Sequence, residues 1–304
     1  MKRALPLLFL LAAAAVSARA QASGGVAYAQ AGGRARAEAA ERNKRALTQV
    51  ELPPSATSMF VEASVLMNVR ADEHVAVFGL AEECAAVEEC QRKMNATAAG
   101  FLAAVKALGI ADGDTHVDYV AQNKIYGFEL AGNVARERLV GFELKKNVSV
   151  RYREEAMLER LVAAAARSKI FDLIKVDYVV RDTAAVQKRL TEEASRVINQ
   201  KSERYAGLLG IRFQGGAQVY AERPSVYYPT EMYDSYVAFE SEDVSNPYDR
   251  ERHTVQRARK SRTFFFNALD ADGFDTVINP VVTAPVVQFT LYLKVKYEIQ
   301  QPAK

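Results

Sequence analysis

The chain has 304 residues, of which 25% are charged, and a formal net charge of +3. This composition is typical of a globular protein with a well solvated surface. Three of the basic residues, Lys2, Arg3 and Arg19, lie in the first twenty positions, which contain no acidic residue, so the remainder is neutral. A neutral chain lacks the basic surface that binds nucleic acid, and we expect no nucleic-acid partner. About 280 residues remain, which is enough for one large domain or two small ones.

The first twenty residues have the pattern of a secretory signal peptide. A basic start is followed by an apolar run from Ala4 to Val16, and Ala18 and Ala20 form an A-x-A cleavage pattern. The apolar run is shorter than the ~20 residues of a membrane-spanning helix, and we expect no transmembrane helix after signal removal. The predicted location is the periplasm, with outer-membrane association as an alternative. Residues 21–57 are predicted to form a flexible leader.

Two cysteines, Cys84 and Cys90, stand six residues apart. An even number of cysteines in an oxidising compartment favours a disulfide. Within one straight helix, however, the two side chains would point ~120° apart and lie too far from each other. A bond therefore requires Cys84 to precede the helix, and two free thiols are the alternative. A redox-active pair is disfavoured because the C-x-x-C spacing is missing.

Alternating and helical periods follow one another in the first half of the chain. Residues 59–69 alternate, and a turn at RADE leads to HVAVFGL, so we expect two strands that pair as a hairpin. From Val87 a spacing of three and four residues predicts a long amphipathic helix that ends at Gly109. DTHVDYVAQ and residues 140–152 are predicted strands.

The second half adds two helices and three strands. EEAMLERLVAAAARSK starts with acidic residues and ends with basic ones, as a helix dipole favours. IFDLIKVDYVV is a predicted strand, and the longest helix follows between an N-cap at Asp182 and Gly210. IRFQGGAQVY is a predicted strand with a bulge or bend. Since helices interrupt the strands without a parallel βα rhythm, the predicted class is α+β: long, mostly antiparallel strands with three amphipathic helices packed on one face.

The closing segment, Val286–Ile299, alternates strictly, with apolar residues at the odd positions. We expect these odd positions to pack against the helices. The even positions, among them Lys294 and Lys296, are expected to face water or a neighbouring subunit. Such a strand also suits an outer-membrane barrel, but a barrel needs many strands of ~10 residues without intervening helices.

Residues 223–283 have no clear period and are rich in tyrosine and proline. Tyrosine is enriched at protein interfaces, so four tyrosines are candidate interface residues, with packing inside the subunit as the alternative. These candidates are Tyr227, Tyr228, Tyr233 and Tyr236. The basic run from Arg250 to Arg262 suits either an anionic envelope surface or a solvated helix face.

No residue set has the pattern of a catalytic, cofactor-binding or metal-binding site. His74, His116 and His253 do not stand at helical spacings from one another or beside the cysteines, which argues against a zinc site. ADGDTHVD and LDADGFD do not complete the calcium-loop pattern, and no G-x-S-x-G elbow is present. We therefore predict no enzyme and no cofactor. An enzyme or ligand-binding site within residues 223–283 is the alternative.

Several segments resemble the SIMPL-domain proteins, secreted bacterial proteins that include a periplasmic immunogenic protein of pathogens. The similar segments run from about Val65 to Ile299, and they comprise NVRADEHVAVFGLA, the helix closed by VKALGI, the YRE junction, TAAVQKRLTEEASRVINQKSERYAGLLGI and the final VKYEI. Ala71 stands where the family usually has proline. Residues 223–283 are longer than the usual loop, so nothing is carried over to them.

The resemblance implies a periplasmic or envelope-associated α+β protein that is often oligomeric and is linked to envelope or oxidative stress tolerance. Channel-like assembly has been proposed for one member, and no catalytic motif defines the family. The resemblance thus implies a SIMPL-like domain over residues 58–222 and 284–300, with residues 223–283 as an insertion. Two subdomains that divide near residue 150 are an alternative.

Overall fold

The structure is a computed structural model that describes residues 57–236 and 263–300. The predicted signal peptide, the leader up to residue 56 and the basic run from Arg250 to Arg262 lie outside the described residues. The described residues form three α-helices and ten strands, and all but one of the strand pairs are antiparallel. The α+β class predicted from the sequence is therefore confirmed.

The elements have the following bounds. The strands are β1 (Ser58–Val69), β2 (Glu73–Cys84), β3 (Thr115–Ala131), β4 (Val134–Tyr152), β5 (Asp172–Val179), β6 (Arg212–Tyr227), β7 (Tyr233–Tyr236), β8 (Thr263–Phe266), β9 (Thr276–Ile278) and β10 (Val287–Gln300). The helices are α1 (Val87–Ala107), α2 (Met157–Arg167) and α3 (Thr183–Leu209). Helix α3 has the predicted cap, because the Asp182 carboxylate accepts a hydrogen bond from the Ala185 backbone N–H at 2.8 Å.

The strands form two four-stranded sheets and a small hairpin. The first sheet has the order β6-β10-β1-β9, the second has the order β3-β4-β2-β5, and β7 pairs with β8. Helix α3 packs on the first sheet, whereas α1 and α2 pack on the second. The three helices are thus divided between two sheets, and each sheet buries its apolar face under its own helical layer.

The predicted hairpin of β1 and β2 is wrong. β1 pairs antiparallel with β10 along its whole length, and β2 lies between β4 and β5. Both strands bury side chains along most of their length, and a two-stranded hairpin alone is only marginally stable. Each strand is therefore central in a different sheet, and the chain crosses between the sheets at residues 70–72 and again at residues 180–182. The domain boundaries expected from the sequence stay a prediction.

Each sheet has a separate hydrophobic core. Under α1 and α2, the side chains of Phe78, Phe101 and Leu144 are at most 1% exposed. The buried face of α1 follows the predicted spacing, with Cys90, Met94, Ala98, Phe101 and Val105. Under α3, alternate residues of β1 and β10 meet a helical face that includes Leu190 and Ala194.

Strand β10 is covered on both of its faces at its start. Its odd positions enter the core under α3, as the alternation predicted. Its even positions do not face water there, since Gln288 and Thr290 are 0% exposed. The Gln288 side chain donates to Asn68 Oδ1 at 2.7 Å and accepts from the Leu269 backbone N–H at 2.6 Å. The expectation of a water-facing or neighbour-facing surface is wrong here, because residues of the predicted insertion supply the cover.

Candidate interaction surface

The second sheet projects beyond its helical layer as a two-stranded ribbon, residues 125–141. Strand β2 ends at Cys84 opposite Phe142, and past this point β3 and β4 pair with each other alone among the described residues. A turn at Gly132, whose φ of 60° suits glycine, joins the two strands. Every residue from 128 to 140 is exposed. The ribbon therefore offers both edges and both faces to its surroundings.

One face of the ribbon is mostly apolar, with Glu137 as its charged residue opposite Phe128. Directly opposed residues of an antiparallel pair share a face, and the register pairs Tyr126 with Leu139. Phe128 and Leu130 follow on the same face because side chains alternate along β3. These four side chains are 50%, 43%, 74% and 77% exposed, in the order in which they are named. They form a continuous apolar row.

The opposite face of the ribbon is charged. Glu129 is paired with Arg136 in the register, and its carboxylate forms an ion pair with Arg138 at 3.3 Å. Val140 lies over Gly127 on this face, where an added Cβ would stand 3.0 Å from a Val140 methyl carbon. The ribbon is thus amphipathic, and its two faces have different chemistry.

A disulfide between Cys84 and Cys90 fixes the base of the ribbon, with the two Cα atoms 5.5 Å apart. Cys84 ends β2 and Cys90 lies in the first turns of α1, so the geometric condition derived from the six-residue spacing is met. An added Cβ at Gly141 would lie 2.7 Å from the Cys84 carbonyl oxygen, closer than real contacts allow. Glycine is therefore needed at the point where β4 leaves the sheet.

The sequence contains a signal for the ribbon beyond the end of the predicted strand. The predicted strand DTHVDYVAQ stopped at Gln122, whereas β3 continues to Ala131. The alternation of Tyr126, Phe128 and Leu130 and the following Gly-Asn pair are typical of a strand and its turn.

A buried carboxylate links the two crossings between the sheets. Glu73 is 5% exposed, forms an ion pair with Arg181 and receives the Arg153 guanidinium at 3.2 Å. The hydrogen bond from Arg181 lowers the pKa of Glu73, and Arg153 adds to this effect against the opposing influence of burial. The Arg181 backbone N–H also donates to the Asp72 carboxylate at 2.8 Å. The cluster ties residues 70–72 to residues 180–182.

His74 lies beside this cluster and is 4% exposed. Its ring stacks on Tyr152 at 5.2 Å and meets the edge of Tyr178 at 5.1 Å, and its Nδ1 has no hydrogen-bond partner among the described residues. Burial lowers the pKa of His74, and it raises the pKa of Tyr152 to about 12. Burial also raises the pKa of Tyr178. All three rings are therefore uncharged at neutral pH, which favours a packing contact between neighbouring strands of the second sheet over an acid–base site.

The acidic loops form internal ion pairs. Asp112 binds Lys106 at 2.7 Å, Asp114 pairs with Arg151, and Asp275 binds Lys201 at 2.6 Å. Across residues 57–236 and 263–300, no group of three or more His, Cys, Asp or Glu side chains is placed to hold a metal ion. His116 stands on exposed β3, and His253 lies outside the described residues.

The four candidate tyrosines lie around the start of the insertion. Tyr227 is 9% exposed and Tyr228 is 39% exposed. The ring of Tyr233 lies 6.1 Å from that of Phe266, and Tyr236 ends β7 opposite Thr263. A role of these residues at an interface stays a prediction.

The fold and the surface define an α+β protein with two helix-covered sheets and a projecting amphipathic ribbon. The model of the SIMPL family, described as "Protein of unknown function (DUF541)", matches residues 59–259, more than half of the chain. The chain therefore belongs to the SIMPL family, and the resemblance seen in the sequence is confirmed. No helix in the described ranges is long and apolar enough to cross a membrane.

A search of curated proteins finds no match. One similar solved structure is described as "The crystal structure of AtUAH in complex with (S)-hydroxyglycine". The likeness has 17% identity and a TM-score of 0.15, and it covers 45% of this chain and 34% of that chain. A likeness at this level carries no argument about fold or function.

Proposed function

We propose that this SIMPL-family protein is a non-enzymatic component of the bacterial periplasm or envelope that associates with itself and supports tolerance of envelope or oxidative stress. The observation that carries the proposal is the exposed apolar row of the ribbon, Tyr126, Phe128, Leu130 and Leu139. Contiguous apolar surface of this kind marks a contact site on soluble proteins, because its exposure to water is unfavourable.

The sheet edges support the same proposal. β3 and β6 are edge strands of 17 and 16 residues. Their outer backbone groups are unpaired within the described residues, and such edges are templates for another strand. β6 also exposes Val219, at 66%. Two long edge strands on one chain allow several modes of self-association, and a channel-like assembly would be one of them.

The polar groups support a structural role over a catalytic one. The buried carboxylate of Glu73 is engaged by three arginines, and the acidic loops are occupied by internal ion pairs. The envelope location rests on the signal-peptide pattern of the first twenty residues. The link to stress rests on the family resemblance.

Light scattering coupled to size-exclusion chromatography tests self-association. We expect the mature chain to have a mass larger than that of one subunit at micromolar concentration, in the absence of detergent. A strictly monomeric mass at every concentration would contradict the proposal.

A deletion strain tests the role in stress tolerance. We expect greater sensitivity to peroxide and to envelope-perturbing detergent than in the parent, with recovery when the gene is restored. The matched control restores a version without residues 1–20, which is expected to stay in the cytoplasm and to give no recovery. Recovery by this control would contradict the envelope location.

A further inference from the structure

We propose that the ribbon is a binding site for unfolded polypeptide. An extended segment of a client chain, with apolar residues at alternate positions, pairs with the outer edge of β3 and sets its apolar side chains beside Tyr126, Phe128 and Leu130. The protein thereby keeps unfolded envelope proteins from aggregating. The inference goes beyond the proposed function, because it assigns the ribbon an activity and a partner other than a second copy of the chain. Its cellular setting rests on the proposed function, whereas the binding itself does not.

The backbone of β3 offers the first half of such a site. β3 is the end strand of the second sheet, so among the described residues its backbone pairs on one side alone, with β4. An added strand takes up the outer N–H and C=O groups through main-chain hydrogen bonds, which do not depend on the sequence of the client. The edge therefore suits a partner that is extended and has no fixed sequence.

The apolar row supplies the second half. Three of its four members, Tyr126, Phe128 and Leu130, stand at alternate positions of β3, the strand that carries the open edge. Directly opposed residues of an antiparallel pair have Cβ atoms about 4.5–5.5 Å apart. A segment with apolar residues at every second position therefore brings each of them beside one member of the row. Strands of outer-membrane barrels alternate in this way over about 10 residues, so unfolded barrel chains are the class of client that fits best.

The size of the row suits transient binding. Its four side chains are 43–77% exposed, and a large aromatic side chain has about 150–250 Å² to bury, so the row leaves on the order of 500 Å² open. Each partner in a standard interface between folded proteins buries about 800 Å². The row alone is therefore too small for a stable contact with a rigid protein, whereas a client that also pairs with the edge gains main-chain hydrogen bonds.

The charges of the ribbon do not select clients of one charge. From position 124 to position 138 there are three basic and two acidic side chains, namely Lys124, Arg136, Arg138, Glu129 and Glu137. Both signs are thus interspersed with the apolar residues. Such a nearly neutral surface neither repels nor strongly attracts client chains by charge, as a binder of many sequences requires.

Two other occupants fit the ribbon less well. A lipid bilayer covers apolar side chains, but its hydrocarbon cannot pair with the open backbone groups of β3. A second copy that pairs its own β3 edge antiparallel with this one satisfies those groups through a two-fold axis perpendicular to the sheet. The two apolar rows then lie side by side on one face and remain in water. An unfolded chain, in contrast, pairs with the edge through one segment and covers the row with a neighbouring segment.

The first experiment measures the binding of an extended peptide to the mature chain. The probe is a fluorescein-labelled peptide of about ten residues in which valine and threonine alternate, with lysines at both ends for solubility. The control peptide has the same composition, with all its valines in one block. We expect fluorescence anisotropy to give a dissociation constant at least fivefold lower for the alternating peptide, because only this peptide sets all its valines beside the row.

Two methylated forms of the alternating peptide test the pairing with the strand edge. Along a strand the N–H groups of successive residues point to opposite edges, so methylation of the valine nitrogens and methylation of the threonine nitrogens block different edges. We expect one methylated peptide to lose at least tenfold in affinity and the other to bind nearly as the parent peptide does. Equal affinities of the two methylated peptides would overturn the pairing with β3.

The next experiment removes the apolar row. We expect Phe128→Ser combined with Leu130→Ser to weaken peptide binding at least tenfold. We also expect the wild type to delay the aggregation of a urea-denatured eight-stranded outer-membrane barrel after dilution, as followed by light scattering, and the serine variant to lose this effect. The matched control is Phe171→Ser, since Phe171 is 79% exposed and stands beside β5, the other end strand of the same sheet. This control is expected to behave as the wild type, and thermal unfolding checks that all variants keep the fold.

The outcomes separate this inference from the proposed function. A chain that associates with itself but does not prefer the alternating peptide overturns the inference alone. A monomeric chain that binds this peptide through the ribbon contradicts self-association and supports the inference. If the serine changes weaken self-association and the peptide does not bind, a second copy covers the ribbon and the inference is wrong. Binding of phosphatidylethanolamine–phosphatidylglycerol vesicles without binding of the peptide would overturn it in favour of a lipid partner.

Discussion

The two halves of β4 share one strand and differ in what covers them. Residues 134–140 are all exposed, whereas Leu144, Val148 and Val150 are at most 1% exposed. The buried half lies under α1 and α2, beside β2, and the exposed half extends past the end of β2. Alternation along a strand therefore shows which face is apolar. Whether that face is buried depends on helices and strands that are far away in the sequence.

The largest expected difference between the two halves is in the free energy of unfolding that is lost when a leucine is replaced by alanine. Leu144→Ala is expected to lower the free energy of unfolding by about 2–5 kcal/mol, because it empties a fully packed site. The matched change Leu130→Ala, at a side chain 77% exposed, is expected to change the free energy of unfolding by less than about 0.5 kcal/mol. Urea titration of both variants at the same low protein concentration measures the two changes. Similar losses of unfolding free energy in the two variants would contradict the expected difference between the buried and the exposed half of β4.

The disulfide at the boundary between the halves is expected to have the next largest effect. Replacing Cys84 and Cys90 together by serine is expected to lower the free energy of unfolding by about 2 kcal/mol, since the bond restricts the unfolded chain across a short loop. Hydrogen exchange is expected to become faster around Gly141 and Phe142. Reduced wild-type protein is the control, and it should behave as the double serine variant does. An unchanged urea midpoint would contradict this prediction.

The smallest expected effect is confined to acidic solution and concerns the junction of the two sheets. Burial holds the pKa of His74 below its ordinary value of 6.5, so the unfolded chain binds a proton that the folded chain excludes. The contribution of His74 is therefore fully present above pH 6.5 and is lost progressively as the pH falls below it. His74→Phe, which retains a ring beside Tyr152 and Tyr178, is expected to show a weaker loss of stability. Urea midpoints at neutral pH and at about pH 5 measure the difference, and parallel losses in both proteins would contradict it.

Local patterns in the sequence predicted the helices well. The spacing of Met94, Phe101 and Val105 defined the buried face of α1, and Asp182 and Gly210 defined the ends of α3. These features depend on residues a few positions apart, so a short stretch of the sequence is enough to predict them.

The pairing of the strands and the burial of their faces were harder to predict, because both depend on distant parts of the chain. The proximity of β1 and β2 in sequence suggested a hairpin, although Ser58 is opposite Glu298 in the structure. The polar residues Gln288 and Thr290 suggested a wet surface, but Leu269 and Asn68 supply partners for Gln288. The tyrosines of the insertion were more prominent by composition than Phe128 and Leu130. The sequence alone shows these two residues only as part of an alternating strand, because it does not show their exposure.

The pairing of β1 with β10 also has a consequence for the order of folding. The second sheet and its helices are formed by a contiguous segment, residues 73–179, so this part of the chain can fold from local contacts. The first sheet joins residues 58–69 to residues 287–300, and closing so long a loop is slow. The ribbon-bearing layer is therefore expected to be structured while β1 still lacks its partner. During that interval the apolar side chains of β1 are exposed to water, and we expect β1 to be a binding site for chaperones.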